Sequence, residues 1–520
     1  MSASDTANPS PQPVLLASTS SPSSVRLAND VAHILDWLVT PIPEDPARDL
    51  AQLGMELAAL ERAGVDDGHF HRILDLFYDR IQRLGQSLKT RLSGARLPLD
   101  KESRAIALSL VGAHERIASG YERLLGDSER LARSQRRNAP TVIARALRCL
   151  AEALATCHMA AGPPPANLWR RVHALAKSAR GLYEPTATVI PGLPLDAEKI
   201  YKGLLALAAA QPEGFTPSEI ALAAEYLDHF SASVNLLPAP PADEEAWYWI
   251  DTARDRGPLP SSRRIPAKHG ELLFCSFRLL ARMLGEQIAA LEGGTPAGNL
   301  RLPESAGAVG ALVALKRLQS HWSDPPQRHT ARRRNHFHAR ICIGLDNMRR
   351  LLAPEGAPGT APDQAPRASE WMVTNESPSG FAAMHISGDN EGLLPGSAVA
   401  LHPGGGKPWN ICIVRWMKSE NPEHVELGLE LVAPTALPVH VLFRSGAQEQ
   451  QPTPALLLPA VPALRRHRAI LAPAGAISAR RFFIVSGEDS VRVVQGRVLS
   501  TEVQTGVVDV FQFEPDPYPM

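Results

Sequence analysis

The hydrophobic period of this chain changes once. From about residue 25 to Gln319 apolar side chains recur every three or four residues, whereas after Arg332 they fall in short runs rich in Val, Leu, Ile and Phe. Helices and strands repeat their side-chain directions with periods of about 3.6 and 2, so a pattern written for one does not settle as the other. The switch predicts an α+β multidomain chain in which an all-α helical N-terminal region precedes a β part.

Within the first part, Asp45-Pro46 offers an N-cap and a first-turn proline, Leu50, Leu53, Leu57 and Leu60 form one stripe, and Gly64 ends the helix. Ile73, Leu76, Phe77, Ile81, Leu84, Leu88 and Leu92 predict a second helix, with Asp75, Asp79, Arg80, Arg83 and Lys89 on its other side. The short connection implies an antiparallel hairpin. Further helices are expected over Lys101–Leu125, Ser128–Met159, Ala166–Tyr183, Glu271–Leu291 and Ala306–Gln319. Thr216-Pro217-Ser218-Glu219 is a capping box opening a helix through Leu227, while Glu245 to Asp251 read as a short strand or aromatic anchor. No repeat of fixed period is visible, which favours a bundle or irregular array over a solenoid.

Composition narrows the function classes. Lys plus Arg and Asp plus Glu both number 54, so no net field draws the chain to nucleic acid or an anionic membrane, and any anion site must be local. No apolar stretch of about 18 residues exists, and Met1 to Ser24 lack the regions of a signal peptide, so the expectation is a cytoplasmic protein with no DNA or RNA partner and no membrane insertion. The five cysteines are scattered without a CxxC, which points to buried thiols rather than a zinc site or disulfide frame. No nucleophile, base and oxyanion constellation stands out. The sequence reads as non-enzymatic.

Two segments carry ligand chemistry. Asn375-Glu376-Ser377-Pro378-Ser379-Gly380 is a polar turn between Trp371-Met372-Val373 and Phe381-Ala382-Ala383-Met384, where Asn and Ser side chains stand beside a glycine that lets the backbone approach a ligand. Upstream, Arg328 and Arg332 lie four residues apart, and guanidinium groups chelate phosphate or pair with the O6/N7 edge of guanine. Each has an ordinary reading: Asn, Ser, Pro and Gly build plain β-turns, and the arginines share a basic segment with Arg333, Arg334 and Arg340. His329, His336 and His338 either line a nucleotide, bind a metal or mark an exposed strand edge. Gly404-Gly405-Gly406-Lys407 lacks the Ser or Thr and the helix of a phosphate loop and reads as a hairpin turn. Cys157-His158 and His114-Glu115 lack a second liganding pair, so structural roles are expected.

The paired segments resemble those of the PilZ family, small bacterial β-barrels that bind cyclic di-GMP with an RxxxR arm and a [D/N]xSxxG turn. Arg328 and Arg332 fit the arm, and Asn375, Ser377 and Gly380 fit the turn. Leu393 to Leu401 look like the family's following turn and strand, Ile411 to Trp416 like a later strand, and Glu426 to Leu431 like the closing one. The resemblance covers residues 326–434, about a fifth of the chain. One departure stands out: 42 residues separate Arg332 from Asn375, an excess matching the Pro/Ala/Gly stretch Ala353 to Ala368, which is either a loop between barrel strands or an interdomain linker. The run Ala339 to Leu345 favours the loop, since it supplies a first barrel strand on the arginine side.

The expected organisation is a disordered tail over 1–24, a helical region over 25–325, a PilZ-like six-stranded β-barrel over 326–434 with an inserted loop at 353–368, and a small C-terminal β domain over 435–520. Six apolar runs of that last domain read as strands: Val439–Phe443, Ala455–Leu458, Ala469–Leu471, Arg481–Val485, Val491–Val498 and Gly506–Phe513. The resemblance implies a cyclic di-GMP receptor without a further cofactor, coupling the nucleotide to a protein partner or to its own helical region. The competing expectation is an interaction scaffold whose degenerate PilZ-like barrel binds no nucleotide.

Overall fold

The computed structural model describes residues 31–126, 133–182, 196–242, 246–265, 272–307, 310–324, 332–353, 368–421, 423–443, 451–462, 465–487 and 491–516. The tail expected over 1–24, Arg328 of the arm, the neighbouring His329, and residues 354–367 of the expected loop lie outside them.

The first part is a helical assembly. After α1 (residues 31–38) come α2 (Pro46–Arg62), α3 (Asp67–Ser93), α4 (Lys101–Leu125), α5 (Arg133–Met159), α6 (Leu168–Leu182), α7 (Ala197–Ala209) and α8 (Pro217–Phe230). Asp45 caps α2 by accepting from the Ala47 and Arg48 amides. The capping box of α8 is reciprocal: the Thr216 hydroxyl accepts from the Glu219 amide, and the Glu219 carboxylate accepts from the Thr216 amide at 2.7 Å. A fully buried Arg80 ties α1 and α2 to α3, gripping Asp49 at 2.6 and 2.9 Å and donating to the Thr40 carbonyl at 2.8 Å. α7 was not legible as a helix, because its Leu204-Leu205-Ala206-Leu207-Ala208-Ala209 is apolar nearly all round and shows no periodic polar face.

This region also carries a four-stranded antiparallel sheet of β1 (Asn235–Leu237), β2 (Tyr248–Asp251), β3 (Leu259–Pro260) and β4 (Leu272–Ser276), in the order β1-β4-β2-β3. The helix expected from Glu271 to Leu291 is thereby corrected. Its first residues are β4, and only Arg278–Glu292 form a helix, α9. Short apolar runs such as Leu272-Leu273-Phe274-Cys275 cannot be told from helix by period alone. α10 (Ala311–Ser323) closes the helical part, and no described helix is long and apolar enough to cross a membrane.

Two closed six-stranded barrels follow. The first comprises β5 (Arg333–Ile343), β6 (Ala368–Ser377), β7 (Gly380–Ser387), β8 (Ala398–His402), β9 (Asn410–Asn421) and β10 (His424–Ala433); the second comprises β11 (Leu437–Phe443), β12 (Thr453–Leu458), β13 (Ala469–Pro473), β14 (Arg481–Ser486), β15 (Arg492–Gln504) and β16 (Val508–Pro515). All six runs read as strands in the C-terminal part are strands. Counting strands from one to six within each barrel, both close in the cyclic order 1-2-3-6-5-4, so the second repeats the topology of the first. Gly404, Gly405 and Gly406 lie in the connection from β8 to β9.

The barrels lie side by side. Cys342, Ala398, Ala400, Ile411 and Ile413 of the first pack with Leu456, Leu458, Ala469, Leu471, Val508 and Val510 of the second. Between β5 and β6 the chain forms a helix, α11 (Leu345–Leu352), whose buried Met348 belongs to this same cluster. The excess length after the arm is therefore partly a helix that bridges the barrels. The second barrel is filled by Phe443, Phe482, Phe511 and Phe513. All five cysteines are free and buried.

Candidate functional site

Antiparallel pairing of β5 with β6 sets Arg333 opposite Glu376 and Arg334 opposite Asn375. Arg332, exposed, immediately precedes β5, so residues far apart in sequence converge at one end of the first barrel. Arg328 lies outside the described residues. Asn375 and Ser377 sit at the end of β6, and Gly380 opens β7 after the two-residue turn Pro378-Ser379. Within the hairpin, the Ser377 hydroxyl lies 3.3 Å from both the Gly380 carbonyl and the Ser379 hydroxyl. Asn335 donates to the Glu376 carboxylate at 2.8 Å, adding a second tie between the two strands.

Gly380 has a structural reason of its own. A Cβ built there would stand 1.9 Å from the Leu429 carbonyl oxygen, so the glycine is what lets β7 close on β10. His336 and His338 are exposed on β5, His329 is outside the described residues, and no described group of three or more His, Cys, Asp or Glu is arranged to hold a metal.

The register extends the site sideways across the barrel. Arg334 pairs with Asn375, Asn375 with Ala382, Ala382 with Gly428, and Gly428 with Trp416, a transverse row over β5, β6, β7, β10 and β9. Leu427, Leu429, Ala383 and Val373 belong to the core, so the alternating Gly428, Ala382 and Asn375 face outward. The adjacent outward row is His338, Met372, Met384, Glu426 and Lys418. Bulges interrupt β5 between Arg334 and Phe337, β6 between Val373 and Asn375, and β9 at Arg415, opposite Gly428 and Leu429. Bulges of this kind re-aim side chains beside functional sites. Sequence reading missed Trp416, Ala382 and Gly428 because only register unites them. The available signal was a glycine inside the run Glu426–Leu431, which marks a close approach.

The same strand β9 meets the helical region. The Ser419 amide donates to the Ala161 carbonyl at 2.7 Å, Arg104 reaches the Ser419 carbonyl at 3.4 Å, and a Cβ on Gly214 would come within 2.8 Å of the Arg415 carbonyl oxygen. Arg317 clamps this junction, holding Glu219 at 3.0 and 3.1 Å and the Gly214 carbonyl. His158 is buried here, and that burial pushes its pKa down.

Fold and sequence together define the first barrel as a PilZ domain. The family described as "Cyclic-di-GMP receptor FimW, middle PilZ domain" matches residues 353–438, and "Cyclic-di-GMP receptor FimW, N-terminal domain" matches residues 32–241. A Pseudomonas aeruginosa protein named "Cyclic-di-GMP receptor FimW" is 24% identical over 476 residues, covering 77% of this chain and 77% of its own length. The PilZ match begins after β5, and the structure supplies β5 as the strand that completes the barrel.

Proposed function

We propose that this protein is a cyclic di-GMP receptor whose PilZ barrel takes the nucleotide at the Asn375–Gly380 hairpin, and which passes the signal to its helical region and from there to a protein partner. The observation that carries the reading is the β5–β6 register, which brings the base of the arginine arm beside Asn375 and Ser377. The similar Pseudomonas aeruginosa protein is named for the same ligand. In this reading Arg328 and Arg332 close over the phosphates, Asn375 and Ser377 hydrogen-bond the ligand, and Gly380 lets the chain turn beside them without obstructing it. Coupling runs along β9, since it borders the ligand face and also docks on Ala161 and Gly214. A ligand shifts the arrangement only by its difference in affinity for the two states.

Calorimetry with cyclic di-GMP, its linear form and an adenine analogue tests the binding. The expected result is selective binding of the cyclic guanine ligand, weakened about ten- to a hundredfold in Arg328→Ala or Arg332→Ala as charge-assisted bonds are lost. Absence of binding to the wild-type chain refutes the reading. Hydrogen exchange tests the coupling: ligand should change protection in β9, at 158–161 and at 212–214. Changes confined to 375–380 refute transmission to the helices.

A further inference from the structure

Resting on that reading of the site, we propose that Trp416 is the base-stacking residue of the nucleotide face and that Gly428 exists to seat it. The row from Asn375 to Trp416 crosses three strand spacings, about 14 Å, and its two middle positions are Ala382 and Gly428. The outer surface between the hydrogen-bonding hairpin and the indole is thus almost bare of side chains. Trp416 is held in this position by shape. A Cβ on Gly428 would stand 1.9 Å from the indole Nε1 and 2.2 Å from Cε2, so the pyrrole ring fills the space that any larger residue would occupy. The indole is nonetheless only half-buried, leaving part of the ring for a ligand.

The surrounding chemistry suits a purine nucleotide. Lys418 Nζ lies 5.9 Å from the Trp416 ring centroid, placing a cation beside the aromatic plate, while Arg334 stands exposed at the opposite end of the row. A flat π surface at one end, an amide near the other and a cation beside each match a planar base linked to phosphate. Met372 and Met384 border the row and present polarisable, adaptable walls to the same ring. A purely structural tryptophan covering Gly428 would need only volume. A stacking tryptophan needs aromaticity, and that difference is testable.

The experiment compares wild type, Asn375→Ala, Trp416→Phe and Trp416→Leu by calorimetry with cyclic di-GMP, with folding of each checked by thermal melting. Base stacking of this kind predicts that Trp416→Leu weakens binding about ten- to a hundredfold, while Trp416→Phe recovers most of the loss. Ligand should also change the tryptophan fluorescence of the wild type, and that change should vanish in both Trp416 variants. Equal affinity of the Leu and Phe variants, with the fluorescence response intact, overturns the stacking role. If wild type itself shows no binding, it is the nucleotide reading that fails. If wild type binds, Asn375→Ala does not, and Trp416→Leu binds as wild type, the site stands and the stacking role alone is rejected.

Discussion

Replacing Gly380 by alanine separates what the signature glycine does for the barrel from what it does for a ligand. The added Cβ would meet the Leu429 carbonyl oxygen at 1.9 Å, its carbon at 3.0 Å and Glu430 Cα at 3.1 Å. All three are backbone atoms of β10, so no side chain can swing away. Relief requires β7 to retreat from β10 where Gly380 pairs with Glu430 and where the Leu431 amide donates to the Ser379 carbonyl at 2.9 Å. Overpacking of this kind costs about 1–3 kcal/mol, and a lost ladder hydrogen bond adds about 1 kcal/mol. The expected destabilisation is about 2–4 kcal/mol, read as a lowered denaturant midpoint together with faster amide exchange in β7 and β10. Ser377→Ala provides the contrast, because its hydroxyl makes only 3.3 Å contacts inside the hairpin and its loss should leave stability within about 0.5 kcal/mol. A Gly380→Ala protein that melts and exchanges like wild type while losing ligand would refute the closure argument.

Met348→Ala empties a fully buried site between the barrels and should cost about 2–5 kcal/mol, whereas replacing residues 354–367 by a few Gly/Ser residues should leave the melting temperature nearly unchanged, because loop closure depends weakly on length; thermal melts of both variants check this. Arg80→Met leaves the Asp49 carboxylate buried without its partner and should destabilise the helical part by about 3–5 kcal/mol in denaturant titrations. Burial pushes His114 and His321 down to about 4, with Arg317 and Arg415 also lowering His321. Both are neutral in the fold and take up protons on unfolding, so stability should fall as pH drops from about 6.5 toward 4, by about 1.4 kcal/mol per pH unit for each group, and His321→Leu should flatten that slope in melts at pH 7.5, 5.5 and 4.5.

Local chemistry was legible where one segment contains it. The Thr216–Glu219 box, the bounds Lys101–Leu125 and the Asn375–Gly380 hairpin all follow from neighbours in sequence. The strand runs of the C-terminal part were equally plain, but their closure was not: β13 pairs with β16 across 34 intervening residues, and an apolar run does not name its partner. The site divides the same way. Asn375 and Ser377 announced themselves as a turn, while Trp416 meets their row only through two further strands, so its place depends on a register that no single segment encodes. The helix α11 escaped notice because Leu345-Asp346-Asn347-Met348 continues an apolar strand and spans barely two turns before the Pro/Ala/Gly stretch.

The two barrels share a strand order but use the same face differently. In the first, the outward residues of strands two, three and six include Asn375, Met372, Ala382, Met384 and Glu426. In the second, the corresponding strands β12, β13 and β16 present Leu456, Leu458, Ala469, Leu471, Val508 and Val510, all buried against the first barrel. The connection between strands two and three differs too: residues 459–468 contain no Asn-x-Ser-x-x-Gly pattern. The face that carries the proposed site in one barrel is therefore the docking surface of the other, where a nucleotide could enter only by parting an apolar interface. It follows that every binding event should depend on the first barrel. Calorimetry on the full chain should lose all cyclic di-GMP binding in Asn375→Ala/Ser377→Ala, whereas residual binding at half the wild-type stoichiometry would place a second site in the C-terminal barrel and refute the argument from its buried face.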